Sequence, residues 1–578
     1  MSFSLADPPA VSAPPPVAQR PVTTGARTPD DEPVSTEPDL RCWAKFRRGP
    51  APYNGEYGFD WMDWQRDPDP KNLNDDITKV MDVDIKEFDY CYDEQKREYV
   101  AVAADPHLKR KLQGEYRRVL VYGEDYYAGW LSVRPGQEVK LQLAIEALNS
   151  DPAKDDYLTF GPHASYQVTV NGQVNEAIRI TPTAGTTAQN PQVVDVTIKN
   201  VKPCADTSLQ VLDEKGKVVG QLNVVDNTKT YKLPVRVVYL IKDAVPQTAV
   251  SLQTLQTTFA ALNLERYLNE NSLNQAQIQV YFEKTSQVFQ ILFKEIEWSG
   301  KFYDSTNNWF TNCQVVVNGK TETTYFLDEV LKKYIDKYET VQTDFFKGII
   351  LVVTDIRKNP ADKEGGISKV IPVNFREAVI YQTNLTSKES YAHEISHALG
   401  LEHSFWRDAE YKLQLKTIAN NIDILESNIK SYKHNRKNVY SVNIKNHKNN
   451  IQSILDPDIS QRKQQLNKYK DYFNNNPMEK TKAEDALKRV NEMRSKELEK
   501  IREQEKLSSE NDKKQLKAEQ QLLEFKKELL VYNKNAYMFK EGKTDNFMDY
   551  TSNGRKTYFH YQWQAMQSDV VEYYGTLE

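Results

Sequence analysis

The sequence predicts an α+β fold of several domains, and three observations carry that prediction. The chain has 578 residues, whereas a single hydrophobic core stops growing at about 250–300 residues. Residues 113–233 alternate apolar and polar side chains, residues 234–406 mix strand and helix patterns, and residues 407–535 are charged and lack glycine. We therefore expect β-sandwich-like modules first, then a domain with a mixed sheet, and a long helical coiled-coil hairpin inserted in that domain.

The first 112 residues fall into two segments of different composition. Residues 1–40 are rich in Pro, Ala, Thr and acidic residues, and their few large apolar side chains cannot offset the entropy cost of ordering. We expect a disordered, Pro-rich lead there. From Arg41 onward aromatic residues stand among glycines and charges, so residues 41–112 are expected to form an aromatic-rich N-terminal module. The first of these aromatic residues are Trp43, Phe46, Tyr53, Tyr57, Phe59, Trp61 and Trp64.

Residues 113–233 have the pattern of an all-β domain. Their apolar residues recur with a period of two, which is the pattern of half-buried strands, and Gly-containing dipeptides separate the runs. These features predict a β-sandwich-like domain. The turn dipeptides are Pro135-Gly136, Asn171-Gly172 and Lys215-Gly216.

The next region alternates strands with helices. Apolar runs that start at Leu233 and cover 348–356 predict buried strands, and helical periodicity over 251–269 and 326–339 predicts helices. This alternation indicates an α/β layer with a partly parallel sheet.

The charged region 407–535 is expected to be a helical insertion. Six of its apolar residues are spaced 3, 4, 3, 4 and 3 apart, which is the seam of a coiled coil. Pro457 and Pro477 supply helix breaks, so we expect an antiparallel hairpin that leaves the preceding domain and returns to it. Both a solvated spacer and a partner-binding arm remain open as its role. The seam residues are Leu415, Ile418, Ile422, Leu425, Ile429 and Tyr432.

Charge and hydropathy exclude some partners. The formal net charge of −5 gives no broad basic field for phosphates, so we expect no nucleic acid partner. No stretch reaches the roughly 18 apolar residues that span a bilayer. The N-terminus lacks the basic and apolar regions of a standard signal peptide. We expect secretion by a route without such a signal, and otherwise a cytoplasmic location.

The four cysteines lie far apart and have no CxxC spacing, so they do not form a thiolate metal site. Either disulfides or buried free thiols are consistent with so few cysteines in so long a chain. They are Cys42, Cys91, Cys204 and Cys313.

The motif H-E-x-x-H-x-x-G-x-x-H at residues 393–403 carries the chemistry. On a helix, His393 and His397 project from one face toward a single ion. Gly400 can adopt the left-handed conformation that ends the helix, which lets His403 approach as a third ligand. Three protein ligands leave a fourth position open, as in catalytic Zn²⁺ sites, and Glu394 is then the general base. The histidines predict a zinc-dependent hydrolase, and a chance grouping is improbable with eight histidines in the chain.

This motif and the segment near Met548 resemble the metzincin clan of zinc endopeptidases. The run Asn546-Phe547-Met548-Asp549-Tyr550 is similar to the Met-turn of that clan, and the resemblance implies a structural role for Met548 below the metal. In astacin-like and serralysin-like members a Tyr two residues after this Met can reach the metal or the oxyanion, which implies a catalytic role for Tyr550. The run NFMDYTSNGRKTYFHYQWQAM is most similar to pappalysin-like members, although their usual cysteine is absent here.

The resemblance covers residues 234–406 and 536–578 and implies that they form one metzincin catalytic domain. It further implies a substrate cleft below an edge strand, for which residues 366–371 are the candidate, followed by a strand at 378–382. A protein or peptide substrate would bind there through its main chain, as an added strand. The long insertion between His403 and the Met-turn is the departure from the family.

Two further interpretations stand beside the endopeptidase. The alternative is a non-catalytic binding or structural effector, with a zinc-stapled fold and a partner-binding coiled-coil arm. A staple is normally closed by a fourth protein ligand, so Glu394 beside an open site favours the enzyme. The segment YNGEYGFDWMDWQRD also resembles adaptor modules of bacterial effectors loaded onto contractile injection or type VI secretion machines. That resemblance implies a secreted or injected effector or toxin, with secretion machinery as a partner of the N-terminal modules.

Overall fold

The fold was obtained as a computed structural model, and residues 41–578 form one compact unit in it. The predicted disordered lead 1–40 and Cys313 lie outside the described residues. The structure describes residues 41–49, 52–61, 88–101, 105–147, 156–187, 190–242, 247–297, 299–307, 309–310, 314–317, 322–339, 345–359, 365–370, 375–405, 409–539, 541–542, 544–550 and 554–577. In these residues the fold is mixed α and β, with several sheets and one very long helix.

Two five-stranded sheets form the N-terminal part. The first has the order β1 (Cys42–Arg48), β8 (Glu138–Ala147), β12 (Gln192–Asn200), β10 (Tyr166–Val170) and β11 (Gln173–Val174). The second has the order β2 (Gly58–Asp60), β7 (Gly129–Ser132), β14 (Val218–Val224), β13 (Thr207–Leu212) and β9 (Thr159–Phe160).

Contacts between these two sheets explain the alternating sequence. The hydroxyl of Tyr126 donates to backbone oxygens of both Ala44 and Gln221, which lie in different sheets. Phe46 of β1 and Phe160 of β9 also connect the two sheets, because their ring centroids lie 6.2 Å apart. Strands β1 and β2 come from the predicted N-terminal module, so the sheets cross the boundary expected near residue 112.

A seven-stranded mixed sheet forms the scaffold for the metal-site motif. Its main order is β16 (Ile278–Phe282), β15 (Tyr231–Ile241), β22 (Ile349–Thr354), β25 (Glu377–Ile380) and β24 (Gly366–Ser368), while β17 (Phe289–Leu292) and β27 (Thr576–Leu577) also pair with β15. The pairs of β15 with β16, β17 and β22, and of β22 with β25, are parallel, whereas β24 runs antiparallel to β25.

Both faces of this sheet are covered, which explains its nearly continuous apolar strands. All six residues of β22 are buried. Leu351 and Val353 belong to one core cluster, and Ile350 and Val352 belong to another on the opposite face. The first cluster includes Tyr391 and other residues of the metal-site helix.

Four smaller sheets complete the strands. They are β18 (Tyr303–Asp304), β19 (Trp309–Phe310) and β23 (Arg357–Lys358); β20 (Gln314–Val317) and β21 (Glu322–Tyr325); β26 (Tyr537–Phe539), β3 (Phe88–Asp93) and β4 (Glu98–Ala101); and β5 (Val119–Val121) with β6 (Glu124–Tyr126).

The helices outside the insertion pack against these sheets. They are α1 (Pro106–Glu115), α2 (Gln247–Ala261), α3 (Leu264–Asn271), α4 (Ser299–Phe302), α5 (Phe326–Tyr338), α6 (Lys388–Ala398) and α12 (His560–Asp569).

The insertion is an antiparallel helical hairpin, here called the arm (residues 409–534). Its outgoing side consists of α7 (Ala409–His434), α8 (Ser441–Asn450), α9 (Asp456–Lys468) and α10 (Lys470–Asn475), with π turns at Asn435–Tyr440 and Ile451–Leu455. Its returning side is the single helix α11 (Pro477–Lys534) of 58 residues.

The two prolines of the arm behave differently. Pro477 begins α11 after the reversal of the chain, as expected. The break expected at Pro457 is absent, because that residue occupies the first turn of α9, directly after a π turn. The residues on both sides of the π turn keep right-handed helical backbone angles, so the chain stays helical through Pro457.

The base of the arm packs on the N-terminal part of the chain. Leu415, Ile418 and Ile422 of the predicted seam are buried against Tyr92 and Tyr99 of the β3–β4 hairpin. A second apolar cluster, farther along the arm, is built from Ile451, Leu455, Ile459, Val490 and Ile501. Farther along the predicted seam, Ile429 is buried, whereas Leu425 and Tyr432 are half-buried.

Among the described cysteines, Cys42, Cys91 and Cys204 are free thiols. Burial raises the pKa of the Cys42 and Cys91 thiols to about 12, so both stay protonated at neutral pH. None of the helices that the structure describes is both long and apolar enough to cross a bilayer.

Candidate metal centre

Helix α6 places the first two histidines. The Ser387 side chain caps its N-terminus by accepting a hydrogen bond from the N–H of Ser390. Tyr391 and Ile395 pack into the core, while His393 and His397 share another face one turn apart. Their Nε2 atoms lie 3.2 Å apart. Two nitrogens bound to one Zn²⁺ at 2.0–2.1 Å in a tetrahedral site are separated by about 3.3 Å, so this spacing fits one shared ion.

Gly400 ends the helix and redirects the chain. Its φ is +81°, a conformation that glycine adopts without steric cost. The N–H of Gly400 donates to the backbone carbonyl of His397, and the N–H of Leu401 donates to the backbone carbonyl of Ser396. A Cβ at this position would lie 2.2 Å from Oδ2 of Asp569. Both the turn and the close approach therefore require glycine.

The turn brings His403 to the other two imidazoles. A ligand nitrogen from each of the three histidines lies within 4.8 Å of the others, and the group could hold a metal ion. The ring centroid of His403 is 5.3 Å from that of His393 and 4.7 Å from that of His397.

Backbone carbonyls fix the tautomers of the two helix histidines. Nδ1 of His393 donates to the oxygen of Phe547 and Nδ1 of His397 donates to the oxygen of Leu401, each at 2.7 Å. Since a carbonyl can only accept, each Nδ1 carries the proton and each Nε2 lone pair is available to a metal. Burial also lowers the pKa of His393 well below its usual range and that of His397 to about 4. Both rings are therefore neutral, as metal ligands must be.

Glu394 lies on the same helix below the edge strand β24. It is 6% exposed, and burial raises its pKa to about 8 against the lowering effect of Arg555 and Lys358. A Cβ at Gly366 of β24 would lie 2.6 Å from Cγ of Glu394. The absence of a side chain at Gly366 therefore leaves space for the Glu394 side chain, a role that the sequence pattern did not reveal.

The predicted Met-turn is a tightly bonded segment beside the histidines. Met548 is fully buried in the main core cluster, and its carbonyl accepts from the N–H of Ser404 at 3.0 Å. The carboxylate of Asp549 accepts hydrogen bonds from Gly542, Thr544 and the N–H of Tyr550. This turn thus supports both the segment after His403 and, through Phe547, the orientation of His393.

Tyr550 reaches the third histidine. Its hydroxyl lies 3.0 Å from Nε2 of His403, and its ring lies 4.9 Å from that imidazole. The structure therefore places Tyr550 with His393, His397 and His403.

Asn535 is a site residue that the sequence pattern missed. Its Nδ2 donates to the carbonyl of Gly400 at 2.9 Å, and its Oδ1 accepts from the N–H of Glu402 at 3.0 Å. Asn535 directly follows the last helix of the arm. One side chain therefore joins the arm to the turn that carries His403. The only sequence signal for this role is that Asn535 directly follows the arm.

A scan against protein-family models and a search of curated proteins both find no match to this chain.

Proposed function

We propose that the chain is a zinc-dependent endopeptidase of the metzincin type. The observation that carries the proposal is the convergence of His393, His397 and His403, with Glu394 on the same helix. The described part of the chain offers no fourth His, Cys, Asp or Glu in that group. An open ligand position is the arrangement of catalytic rather than structural zinc.

The three imidazoles would hold Zn²⁺ through their Nε2 atoms. When bound, the ion supplies a Lewis acid that lowers the pKa of a water ligand and polarises a peptide carbonyl. Zinc is the metal assigned in this proposal, because neutral imidazoles in a three-histidine site suit it.

Glu394 is assigned the proton transfers. A carboxylate with a pKa raised by burial is a stronger base than one in water, and the charge of a bound metal ion would favour the ionised form that accepts the proton. It takes a proton from the attacking water and passes it to the leaving amine. Tyr550 is assigned a hydrogen bond to the oxyanion, since its hydroxyl can leave His403 for a substrate oxygen.

The substrate is assigned to the open edge of the large sheet. Among the described strands β24 pairs only with β25, so its other edge offers backbone groups to an extended peptide. Such a peptide would pass above Glu394, which lies against Gly366. Main-chain pairing at this edge would position a peptide bond independently of its side chains.

The first test combines metal analysis with digestion of an unfolded protein. The purified chain should contain about one zinc per molecule and should cleave reduced, unfolded substrate until a chelator is added. His403→Ala should lose both zinc and cleavage. A chain with full zinc content that cleaves no unfolded protein would overturn the enzyme in favour of a zinc-stapled structural or binding protein.

The arm supports a second proposal, a coiled-coil arm that binds a partner, whether or not the chain is an enzyme. Several large apolar side chains along the arm are exposed, at positions where a solvated spacer needs none. They are Ile424, Ile454, Tyr469, Tyr472, Met478, Met493, Leu516 and Leu523. Export as an injected effector or toxin remains part of this proposal, and detection of the chain outside the producing cell would test it.

A further inference from the structure

Two cations act on the candidate site. Arg555 follows the Met-turn, and Lys358 belongs to β23 beside the large sheet. Both charges act on Glu394, and Arg555 also acts on His393 and His397. No acidic group of the described chain has a comparable effect on these three residues. Arg555 is the cation whose position can be followed to the histidines through its contact with Tyr550.

The backbone around Arg555 is held in place. The N–H groups of Lys556 and Thr557 both donate to the carbonyl of Asp545, at 2.8 and 3.1 Å, and Phe547 donates to Thr557. Asp545 in turn pairs with Arg48 at 2.6 Å. The position of Arg555 relative to the Met-turn is thus fixed by several hydrogen bonds.

The Arg555 side chain points toward the metal-site tyrosine. Its guanidinium carbon lies 5.5 Å from the ring centroid of Tyr550, whose hydroxyl is 3.0 Å from His403. Arg555 is half-buried. A group bound to this guanidinium would lie within one or two residues of a peptide bond at the histidines, because an extended chain advances about 3.3–3.6 Å per residue.

Arg555 differs from other shielded arginines of this protein. Arg48 and Arg376 each form an ion pair with a carboxylate, from Asp545 and Glu339 respectively. Within the described residues no carboxylate lies within 4.0 Å of Arg555, and its one recorded partner is the Tyr550 ring. Within the described chain no acceptor takes up its N–H donors, and the guanidinium lies beside the Tyr550 ring.

We propose that Arg555 binds a carboxylate of the substrate next to the scissile bond, so that the chain selects acidic peptides. This inference rests on the proposed peptidase and names its substrate class. The carboxylate is either an Asp or Glu side chain or the free C-terminus of the peptide, since a guanidinium pairs with both in the same bidentate geometry.

The test uses matched peptides with the zinc-loaded full chain. One pair carries Asp or Asn next to the cleaved bond with both ends blocked, and the other pair ends in a free or an amidated C-terminus. We expect kcat/KM to be about 10- to 100-fold higher for the acidic member of one pair, because a charged hydrogen-bonded pair replaces a neutral one. The pair that shows the preference identifies the source of the carboxylate.

Variants connect that preference to the residue. Arg555→Gln should bring the ratio close to one by slowing cleavage of the acidic peptide, and Arg555→Lys should keep part of it. Lys556→Gln removes the neighbouring cation and should leave the ratio unchanged. The inference would be overturned if the unmodified chain cleaved the acidic and the neutral member equally in both pairs, or if the ratio were unchanged in Arg555→Gln.

A binding measurement separates this inference from the proposed function. In the zinc-loaded Glu394→Gln chain, fluorescence anisotropy should show tighter binding of the acidic peptide, lost when Arg555→Gln is added. If the unmodified chain cleaves nothing while this difference persists, the peptidase fails and the carboxylate site stands. Chelator-sensitive cleavage with no binding difference would remove the carboxylate site alone.

Discussion

Each helix histidine is oriented by a backbone carbonyl rather than by a carboxylate. The partner of His393 is the carbonyl of Phe547, so the segment that resembles a Met-turn is hydrogen-bonded directly to the first histidine. The partner of His397 is Leu401, which belongs to the turn that begins at Gly400. The orientation of these two histidines therefore depends on the backbone of the two segments that follow the helix.

The Tyr550 hydroxyl is predicted to act in the transition state. Tyr550→Phe should retain zinc and lower kcat by about tenfold or more, with little change in KM, because the lost hydrogen bond forms mainly to the oxyanion. Steady-state kinetics on one unfolded substrate would measure both constants. Tyr281→Phe, at an exposed tyrosine, is the control. An unchanged kcat would leave Tyr550 with a structural role only.

Glu377 is predicted to make stability depend on pH. It is fully buried in β25, its carboxyl oxygens have no hydrogen-bond partner among the described residues, and burial raises its pKa well above the usual 4.5. The folded state then holds a proton that the unfolded state releases. The free energy of unfolding should therefore fall as pH rises above about 4.5, by at most about 1.4 kcal/mol per pH unit.

Urea unfolding of Glu377→Gln would isolate this effect. The variant is neutral at every pH, so its stability relative to the unmodified chain should increase steadily from pH 5 to pH 8. Glu138→Gln, at an exposed position, should show no such trend. A constant difference across that range would mean that Glu377 is ionised in the folded protein.

The grouping of the three histidines could be predicted from sequence because their spacing is local. His393, Glu394 and His397 lie on one helix, and Gly400 adopts the expected left-handed turn. The roles of Gly366 and Asn535 could not be predicted, because each depends on a contact with a segment distant in sequence. A glycine in a strand or an asparagine after a helix has many structural uses.

At the scale of elements, the end of the arm is part of the metal-site turn. Asn535→Ala should remove both hydrogen bonds to the turn that carries His403 and weaken zinc binding by about 10- to 100-fold. Competition with a chromophoric chelator would measure the affinity. Asn533→Ala, at an exposed position two residues earlier, is the matched control. Equal zinc affinity in both variants would show that the turn holds without the arm.

The arm itself shows what periodicity can and cannot predict. Leu415, Ile418 and Ile422 are buried as their spacing indicates. The partner of this seam is not only the returning helix, because Tyr92 and Tyr99 from the N-terminal part complete the cluster. A heptad pattern shows which face is buried but not which surfaces cover it.

At the scale of the whole molecule, the N-terminal part and the metal-site region share structure. Strand β3 pairs with β26, so that Cys91 lies opposite Tyr537. The ring of Trp130 stacks on His560 at 3.9 Å. Such pairings join residues hundreds of positions apart, and composition along the chain gives no sign of them. The alternation of strands and helices in the sequence therefore predicts the large sheet but not the contacts between the N-terminal part and the metal-site region.

Shortening the arm is predicted to leave the metal site intact. Replacing residues 438–510 by a short Gly/Ser linker removes the whole second apolar cluster of the arm. It keeps the base of the arm, including the hydrogen bond from Asn511 to the carbonyl of Tyr432. We expect a folded chain with normal zinc affinity, measured by thermal unfolding and chelator competition. Loss of zinc would show that the distal arm stabilises the site.

The same shortened chain tests what the arm does to substrates. If the arm covers the site, cleavage of a short peptide should rise. If the arm recruits substrate, cleavage of a large folded protein should fall while that of the peptide stays constant. If the shortened and the unmodified chain cleave each of the two substrates at equal rates, the distal arm is a spacer or a contact for a partner outside the reaction.

The most direct test of the account compares the zinc-loaded chain with its Glu394→Gln variant on an unfolded protein. The substitution preserves size and leaves all three histidines in place, so zinc content should be equal in both. We predict chelator-sensitive cleavage by the unmodified chain and a rate lower by roughly a thousandfold or more in the variant. Equal rates of cleavage in the two chains, or no cleavage by the zinc-loaded unmodified chain, would contradict this prediction.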